Sequence, residues 1–466
     1  MSRGVFRSHN KVGEIMSFQT NSDSGTTFDP IVVFAVPLGD RVSWDLGEGS
    51  GYTATNSLSY TYSDTGLTKT VTIRTNKLSD LGEFYGNSDN IIGNINMSGW
   101  GLKKQFLVQD NPDLTGITHT HSNGIFSAYY AYFCNLIGNH DLSMFPNLGG
   151  HFKLYSNANL TGITHTASTQ VFDNYNINSC NLTGNHDLSM FPNFGGSFLC
   201  YSNSNLTSIT HGTSSQPFIG YQAQFCDLTG THDLSMLSGL GNIFNVGNNP
   251  NLTGITHTAS TETFSSYLVS GNDLTGNHDV SMFPNLGGLF SIKGNSNLTS
   301  ISHGASSEVF TNYWAYNCNL IGPPLDVSML SALGGSFDVS ANSGLRGVTF
   351  PYTTQTFANT NTGNSAIDLS TCGLDGTTDF WRLSGITMDV NSTHGADIEM
   401  QNSGLSKPEV DDYLVDFSGI TSNNITRWSG VTLNIGGITN ASPSATGLSA
   451  VAYLTGVTAQ WTVTTS

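Results

Sequence analysis

The chain of 466 residues has little charge: 15 Lys and Arg against 33 Asp and Glu, 10% of the residues, with a formal balance of -18 at pH 7. So few cations leave nothing to neutralise a row of phosphates, and neither nucleic acid nor an anionic membrane surface is expected as a partner. No run approaches the ~18 apolar residues of a membrane-spanning helix, so no membrane insertion is expected. The opening MSRGVFRSHNKVGEIMSF is basic but has no continuous apolar stretch and no small-residue cleavage site, and it does not read as a secretory signal. Scarce charge beside 37% hydrophobic residues is not the profile of disorder. The apolar groups must be buried by a regular scheme that tolerates many small polar residues, and stacked coils are such a scheme.

What the chain does have is a period. One aromatic slot recurs at Phe106, Tyr129, Phe152, Tyr175, Phe198, Tyr221, Phe244, Tyr267, Phe290 and Tyr313, every 23 residues. A slower period of 46 lies on top, with Leu114, Leu160, Leu206, Leu252 and Leu298 opening the phrase LTGITH or a near copy. Two unlike coils therefore alternate. Each strand reads aromatic-x-apolar, as in Phe152-Lys153-Leu154, the alternation of a half-buried strand. The spacing predicts that Phe152, Tyr175, Phe198 and Tyr221 stack inward in adjacent coils of one parallel sheet.

After the strand, an Asn recurs at Asn111, Asn157, Asn203, Asn249, Asn295, Asn342 and Asn402, and a Cys at Cys134, Cys180, Cys226, Cys318 and Cys372. The Asn amide can satisfy backbone groups where each coil turns a corner, which gives a structural ladder. The ladder cysteines sit on alternate coils, about 9.6 Å apart at sheet spacing, beyond disulfide reach and too far apart to share a metal ion. They are expected to be free thiols, as is Cys200 in an inward strand slot.

Phe126, Tyr129, Ala131, Cys134 and Leu136 match the pattern L-x-x-L-x-L-x-x-N/C-x-L. On these residues the chain resembles the leucine-rich repeat family, nearest to the BspA-like repeats of bacterial surface and phage proteins, over roughly residues 90–440. The resemblance implies a leucine-rich-repeat-like solenoid with a parallel β-sheet and ~23-residue coils, placed here over 77–440. Ahead of it, Trp44-Asp45-Leu46-Gly47-Glu48-Gly49 with Tyr60, Tyr62, Gly66 and Val71-Thr72-Ile73 is similar to a PKD domain, a small all-β sandwich, over 29–76. Glu48 stands where that family has its second Asp. The module is expected to cap the open end of the solenoid. Residues 1–28 have no period and read as an N-terminal arm, a docking segment. Residues 441–466 read as a C-terminal cap, with a short helix over 447–454 and a closing strand at Trp461-Thr462-Val463-Thr464.

Two columns of histidine, His119, His165, His211, His257 and His303, and His140, His186, His232 and His278 beside Asp141, Asp187, Asp233 and Asp279, invite a catalytic reading. Catalysis needs one asymmetric constellation, and a pair repeated in every second coil is read as structural turn hydrogen bonding instead. A repeated ion or pH-sensitive site is the alternative. No metal, cofactor or catalytic residue is assigned. The Asn-Leu-Thr sequons at Asn159, Asn181, Asn205 and Asn251 follow from the coil consensus and are discounted.

Outward strand positions carry what a concave sheet would offer a partner. Tyr130, Tyr132, Phe133, Tyr155, Leu199 and Tyr201 crowd the early coils, and Trp314 with Tyr316 forms a later cluster, with Asn245, Gly247, Ser270 and Gly271 between. Exposed aromatics suit sugar rings or an apolar protein patch. The expected function is non-enzymatic binding, most readily as a bacteriophage tail-fibre or other virion component that contacts a host surface glycan or protein, with the arm meeting other virion proteins. A bacterial cell-surface adhesin and a β-helix tailspike depolymerase are the alternatives.

Overall fold

The fold is given by a computed structural model that describes residues 14–22, 27–34, 43–47, 52–54, 58–62, 68–75, 81–352, 356–357, 366–380, 382, 387–388, 398–423, 431–456 and 459–465. It is a parallel β-solenoid with very little helix, and the chain divides into two compact units, residues 1–214 and 215–466.

In the N-terminal unit, Glu14–Thr20 pairs antiparallel with Lys69–Thr75 along its whole length. Ser43–Asp45 and then Tyr52–Ala54 extend that sheet on one side. Along Lys69–Thr75 every second residue is buried, so Val71 and Ile73 face a core with Met16, Phe18 and Trp44. On its other side Glu14–Thr20 meets Ile91–Asn96, which runs parallel to Leu114–Thr118 of the first coil. Residues read as an arm (1–28) and as a PKD-like module (29–76) thus lend strands to the sheets of the solenoid. Glu48, Gly49 and Gly66, on which part of the PKD reading rests, lie outside the described residues. Ile31–Phe34 pairs antiparallel with Leu81–Tyr85 and covers the edge of the solenoid's main sheet, which would otherwise present unpaired backbone groups.

That sheet continues in parallel through Gln105–Leu107, Ala128–Tyr130, Gly150–Lys153, Phe172–Asn176 and Gly196–Leu199. Its register aligns Phe84, Phe106, Tyr129, Phe152, Tyr175 and Phe198, all fully buried. A second set of strands pairs only two by two: Gly138–Asp141 with Leu160–Thr164, and Thr183–Leu188 with Asn205–His211. This is the structural meaning of the 46-residue period, since each LTGITH strand joins the GNHD strand of the coil before it. Gly150 shows why glycine opens the main strands: its φ is +61°, and a Cβ would stand 2.5 Å from the Ser127 carbonyl oxygen of the preceding coil.

The C-terminal unit repeats the scheme, with Tyr221, Phe244, Tyr267, Phe290, Tyr313 and Phe337 in parallel register. Beyond Phe337 the inward residues become Ile367, Ile398, Leu433 and Val463, and the interval between them lengthens to as much as 35 residues. The ~23-residue coil therefore does not extend to 440. The long interval holds the helix Lys407–Asn423, where Pro408 in the first turn and the Ser406 N–H donating to Glu409 Oε2 at 2.6 Å start a helix in place of a strand. A second helix, Ala445–Leu454, begins at Ser444, whose side chain accepts from the Thr446 N–H. The last strand, Thr462–Thr464, lies parallel on Thr432–Asn434. No helix among the described residues is long and apolar enough to cross a membrane.

Candidate binding face

The corner after each strand is built by a left-handed residue followed by the ladder side chain. Asp110, Phe133, Ser156, Ser179 and Ser202 all have φ between 50° and 60°. Asn157 then donates from Nδ2 to the Leu154 and Ala131 carbonyls at 2.6 and 2.8 Å and accepts from the Leu136 N–H at 3.0 Å. Asn111, Asn203, Asn249, Asn295 and Asn342 repeat the bonds to carbonyls of their own and the preceding coil. Asn402 departs from the ladder: it is itself the left-handed residue, with φ 55°, and Ser403 fills the slot by donating to the Leu369 carbonyl. The extra residues of the long coils displace the register there. Asn272 and Asn440, which the sequence reading passed over, also serve as rungs.

Among the cysteines, Cys134, Cys180, Cys318 and Cys372 donate Sγ–H to a carbonyl of the preceding coil, at 3.2, 3.3, 3.4 and 3.2 Å. All six, Cys200 and Cys226 included, are free thiols. Burial pushes the thiols of Cys134, Cys180 and Cys372 up to about 12 and that of Cys318 to about 11, which removes thiolate chemistry at neutral pH.

The histidines are not turn residues. Three inward tyrosine hydroxyls lie between two imidazoles, Tyr129 between His119 and His140, both at 2.7 Å, Tyr175 between His165 and His186 at 2.6 and 2.8 Å, and Tyr267 between His257 and His278 at 2.8 and 2.7 Å, while Tyr313 bonds to His303 at 2.8 Å. A hydroxyl has one proton, so it donates to one ring and accepts from the other. The Nδ1 atoms of His119, His165 and His257 are buried with no hydrogen-bond partner. A bare nitrogen costs less there than an unmade N–H, so these rings carry the proton on Nε2, donate to tyrosine, and tyrosine donates onward. Burial holds His140, His186, His232, His278 and His303 down to about 4. The aspartates do the turn bonding: Asp141, Asp187, Asp233 and Asp279 each accept from the N–H two residues on. Among the described residues no group of three His, Cys, Asp or Glu is placed to hold one metal ion.

With the inward face so occupied, chemistry toward a partner falls to the outward face. There Tyr132 and Tyr155 stack in adjacent coils, ring centres 4.4 Å apart and planes within 8°. Phe133 stands edge-on to both, at 5.6 and 5.3 Å, and Tyr130 lies 5.9 Å from Tyr132 with the Lys153 ammonium 4.9 Å above its ring. Phe133 is 51% exposed and has φ +50°. That backbone region costs a non-glycine residue roughly 1–2 kcal/mol. Burial raises the Tyr155 phenol to about 12, which keeps it a neutral donor.

Leu199 and Tyr201 do not join this cluster. They stand two coils on, beyond a strand whose outward residues are Asn174, Asn176 and Asn178, a polar interval the sequence reading left out. In the other unit, Trp314 and Tyr316 share one cation, the Lys293 ammonium, 4.8 and 5.0 Å from their rings. The slot of Trp314 is then filled in successive strands by Asp338, Asp368 and Glu399. Three carboxylates thus share one column, at intervals of 30 and 31 residues that the 23-residue period does not show. Burial, then the charge of Asp368, pushes Asp338 up to about 6, and burial raises Asp368.

No protein-family model matches the chain, and no curated protein and no solved structure is similar to it.

Proposed function

We propose that this solenoid is a non-enzymatic recognition protein whose outward face in the N-terminal unit, around Tyr130, Tyr132, Phe133, Tyr155 and Tyr201, meets a host surface glycan or protein. The observation that carries the reading is the Tyr132–Tyr155 stack, ring centres 4.4 Å apart, with the half-exposed ring of Phe133 edge-on to both. Clustered aromatics on an exposed face suit the apolar surface of a partner. The setting we assign is a bacteriophage tail fibre or other virion component, with a bacterial cell-surface adhesin as the other setting. In either, the PKD-like first strands act as the cap of a leucine-rich-repeat-like solenoid.

The test is the triple variant Tyr132→Ala, Tyr155→Ala, Tyr201→Ala. Attachment to host cells should fall at least tenfold, and wild-type attachment should change little between low and high salt, because stacking is only weakly screened. Unchanged attachment by the triple variant would move the binding face elsewhere. The carboxylate column favours a second reading, a tailspike depolymerase, because neighbouring carboxylates whose protons are held on by burial suit glycoside hydrolysis. Release of reducing ends from host capsule by the wild type, lost in Asp338→Asn and Asp368→Asn, would establish it.

A further inference from the structure

The ladder begins on a rung that is not an amide. The pairing of Phe106 with Phe84 carries the corner slots of Asp110 and Asn111 back one coil, to Ser88 and Asp89. The corner there has the usual form. Ser88 is left-handed at φ 59°, and the Gly86 and Ser88 N–H groups donate to the Leu107 and Gln109 carbonyls, as those of Val108 and Asp110 do to Tyr130 and Tyr132 one coil on. Asp89 Oδ1 accepts the Asp29 N–H at 2.8 Å, as Asn157 Oδ1 accepts that of Leu136 at 3.0 Å. One carboxyl oxygen therefore does what Oδ1 does in the asparagine rungs, and the other stands where they have Nδ2.

An asparagine in this slot donates to the carbonyl three residues back, which for Asp89 is that of Gly86. The Gly86 carbonyl already takes Asn111 Nδ2 at 2.8 Å and has a second lone pair, as the Val108 carbonyl has for both Asn111 and Cys134. Asp89 Oδ2 has no hydrogen-bond partner, and the residue is 1% exposed. Ionised, Oδ2 sets one acceptor against another out of water. Protonated, it is a donor, and the rung is complete.

Three parts of the chain meet at this residue. Its carbonyl accepts from the Thr20 and Ser22 hydroxyls at 2.9 and 3.1 Å, at the end of the strand Glu14–Thr20. Its carboxyl holds the N–H of Asp29, just ahead of the strand Ile31–Phe34 that covers the edge of the main sheet. Burial pushes Asp89 up to about 7 against the pull of the Asp29 N–H, and the Asp29 carboxylate adds to the rise. The other charged groups on these elements are engaged elsewhere: the Lys69 ammonium donates to the Ser22 carbonyl at 3.1 Å, Asp113 accepts from the Asn21 amide at 3.0 Å, and Glu83 pairs with Lys104 at 3.0 Å. Asp110 stands at the exposed corner of the next coil.

We infer that Asp89 is a proton-operated latch: protonated, it completes the first rung and clasps the N-terminal strands to the end of the solenoid, and on losing its proton to solvent it lets Thr27–Phe28 and Ile31–Phe34 come away. Opening bares the backbone groups of Leu81–Tyr85, an edge to which a strand of another chain can add. The folded value lies above the ~4 of a free aspartate, so the closed state is favoured in acid, weakens as pH rises from about 4 and stops weakening above about 7. The buried histidines have the opposite sign, since they weaken the fold as pH falls.

Hydrogen exchange of the full chain, read on residues 27–34 and 81–85, tests the latch with Asp89→Asn beside the wild type. Asparagine is the residue of the other rungs, so the variant should fold and stay latched without a proton. Corrected for intrinsic rates, opening of these segments in the wild type relative to the variant should rise by up to tenfold per pH unit from about pH 5 and level off above about 7. Parallel profiles of the two proteins would overturn the latch. So would a wild type that opens at about pH 8 and closes again in millimolar calcium chloride, for then a cation and not a proton completes the rung. Should the variant not fold, the wild type is read against its own residues 150–153, and exchange that rises equally in both places would overturn the latch as well.

Discussion

In the N-terminal unit the slots that follow an inward ring carry Tyr130, Lys153, Asn176 and Leu199, and in the C-terminal unit the same slots come to carry Trp314, Asp338, Asp368 and Glu399. The inward slots beside them hardly differ: Tyr129, Phe152 and Tyr175 in one unit and Tyr267, Phe290 and Tyr313 in the other, each buried and each tyrosine hydrogen-bonded to imidazole. Packing against the coil above and below constrains the inward residue in every repeat. Nothing in the stack constrains the outward one, so the two units are free to diverge there, toward stacked aromatics with amides in one and toward carboxylates in the other.

What the units share should fail together in acid. His140 and His186 in one, and His232, His278 and His303 in the other, have folded values near 4, against about 6.5 when unfolded. The folded values are depressed, so the unfolded chain takes up protons first, and stability present above pH 6.5 is lost as pH falls toward 4, by about 3 kcal/mol per histidine. Asp89 in the first unit and Asp338 in the second, raised to about 7 and about 6, have the opposite sign: they bind protons in the folded state and lose that contribution as pH rises through those values. With Asp368 and Asp416, also raised by burial, four such carboxyls do not offset five imidazoles. The melting temperature should drop steeply between pH 6.5 and 4, and a flat profile over that window would contradict the buried relays.

Single-residue effects come next. Asn203→Leu strips partners from the Cys200 and Ile177 carbonyls and the Leu182 N–H and should cost about 3 kcal/mol in a denaturant titration, with Cys226→Ser costing less. Tyr267→Phe removes the hydroxyl between His257 and His278, in the other unit, and should cost about 2 kcal/mol. A neutral result for either would mean that the ladder or the relay is not what holds its unit.

The solenoid was legible because a coil of fixed length writes its inward residues at a fixed interval, and Phe106 to Tyr313 keep that interval. Legibility ended where the coils lengthen: beyond Phe337 the inward residues are aliphatic and unevenly spaced, so Asn402 was misaligned by one position and the Asp338, Asp368 and Glu399 column went unseen. The helix Lys407–Asn423 was announced by Ser406, Pro408 and Glu409, a signal local to one coil that a search by period passes over. The histidines were found but misjudged, since pairing His119 with Tyr129 requires knowing that the chain turns a corner between them. At the candidate site the aromatics drew attention and the asparagines did not, although Asn174, Asn176 and Asn178 are spaced two apart like any outward set.

The smallest effect separates the two units most cleanly. Phe133 and Phe225 occupy the same corner slot, one in each unit, at φ 50° and 57°, and are 51% and 56% exposed. Asparagine tolerates this backbone region far better than phenylalanine, so Phe133→Asn and Phe225→Asn should each raise stability by about 1 kcal/mol. The two should differ in binding. Phe133 follows Tyr132 and stands against the Tyr132–Tyr155 stack, so its loss removes one side of the aromatic cluster and should weaken attachment several-fold. Phe225 follows Gln224, and its replacement should leave attachment unchanged. Denaturant midpoints and host-cell attachment of the two variants, measured side by side, give four numbers. If both variants gain stability and only Phe133→Asn loses attachment, strain in the N-terminal unit is kept for recognition. If both lose attachment equally, the recognition face is not confined to the tyrosines, and the contrast drawn between the units is wrong.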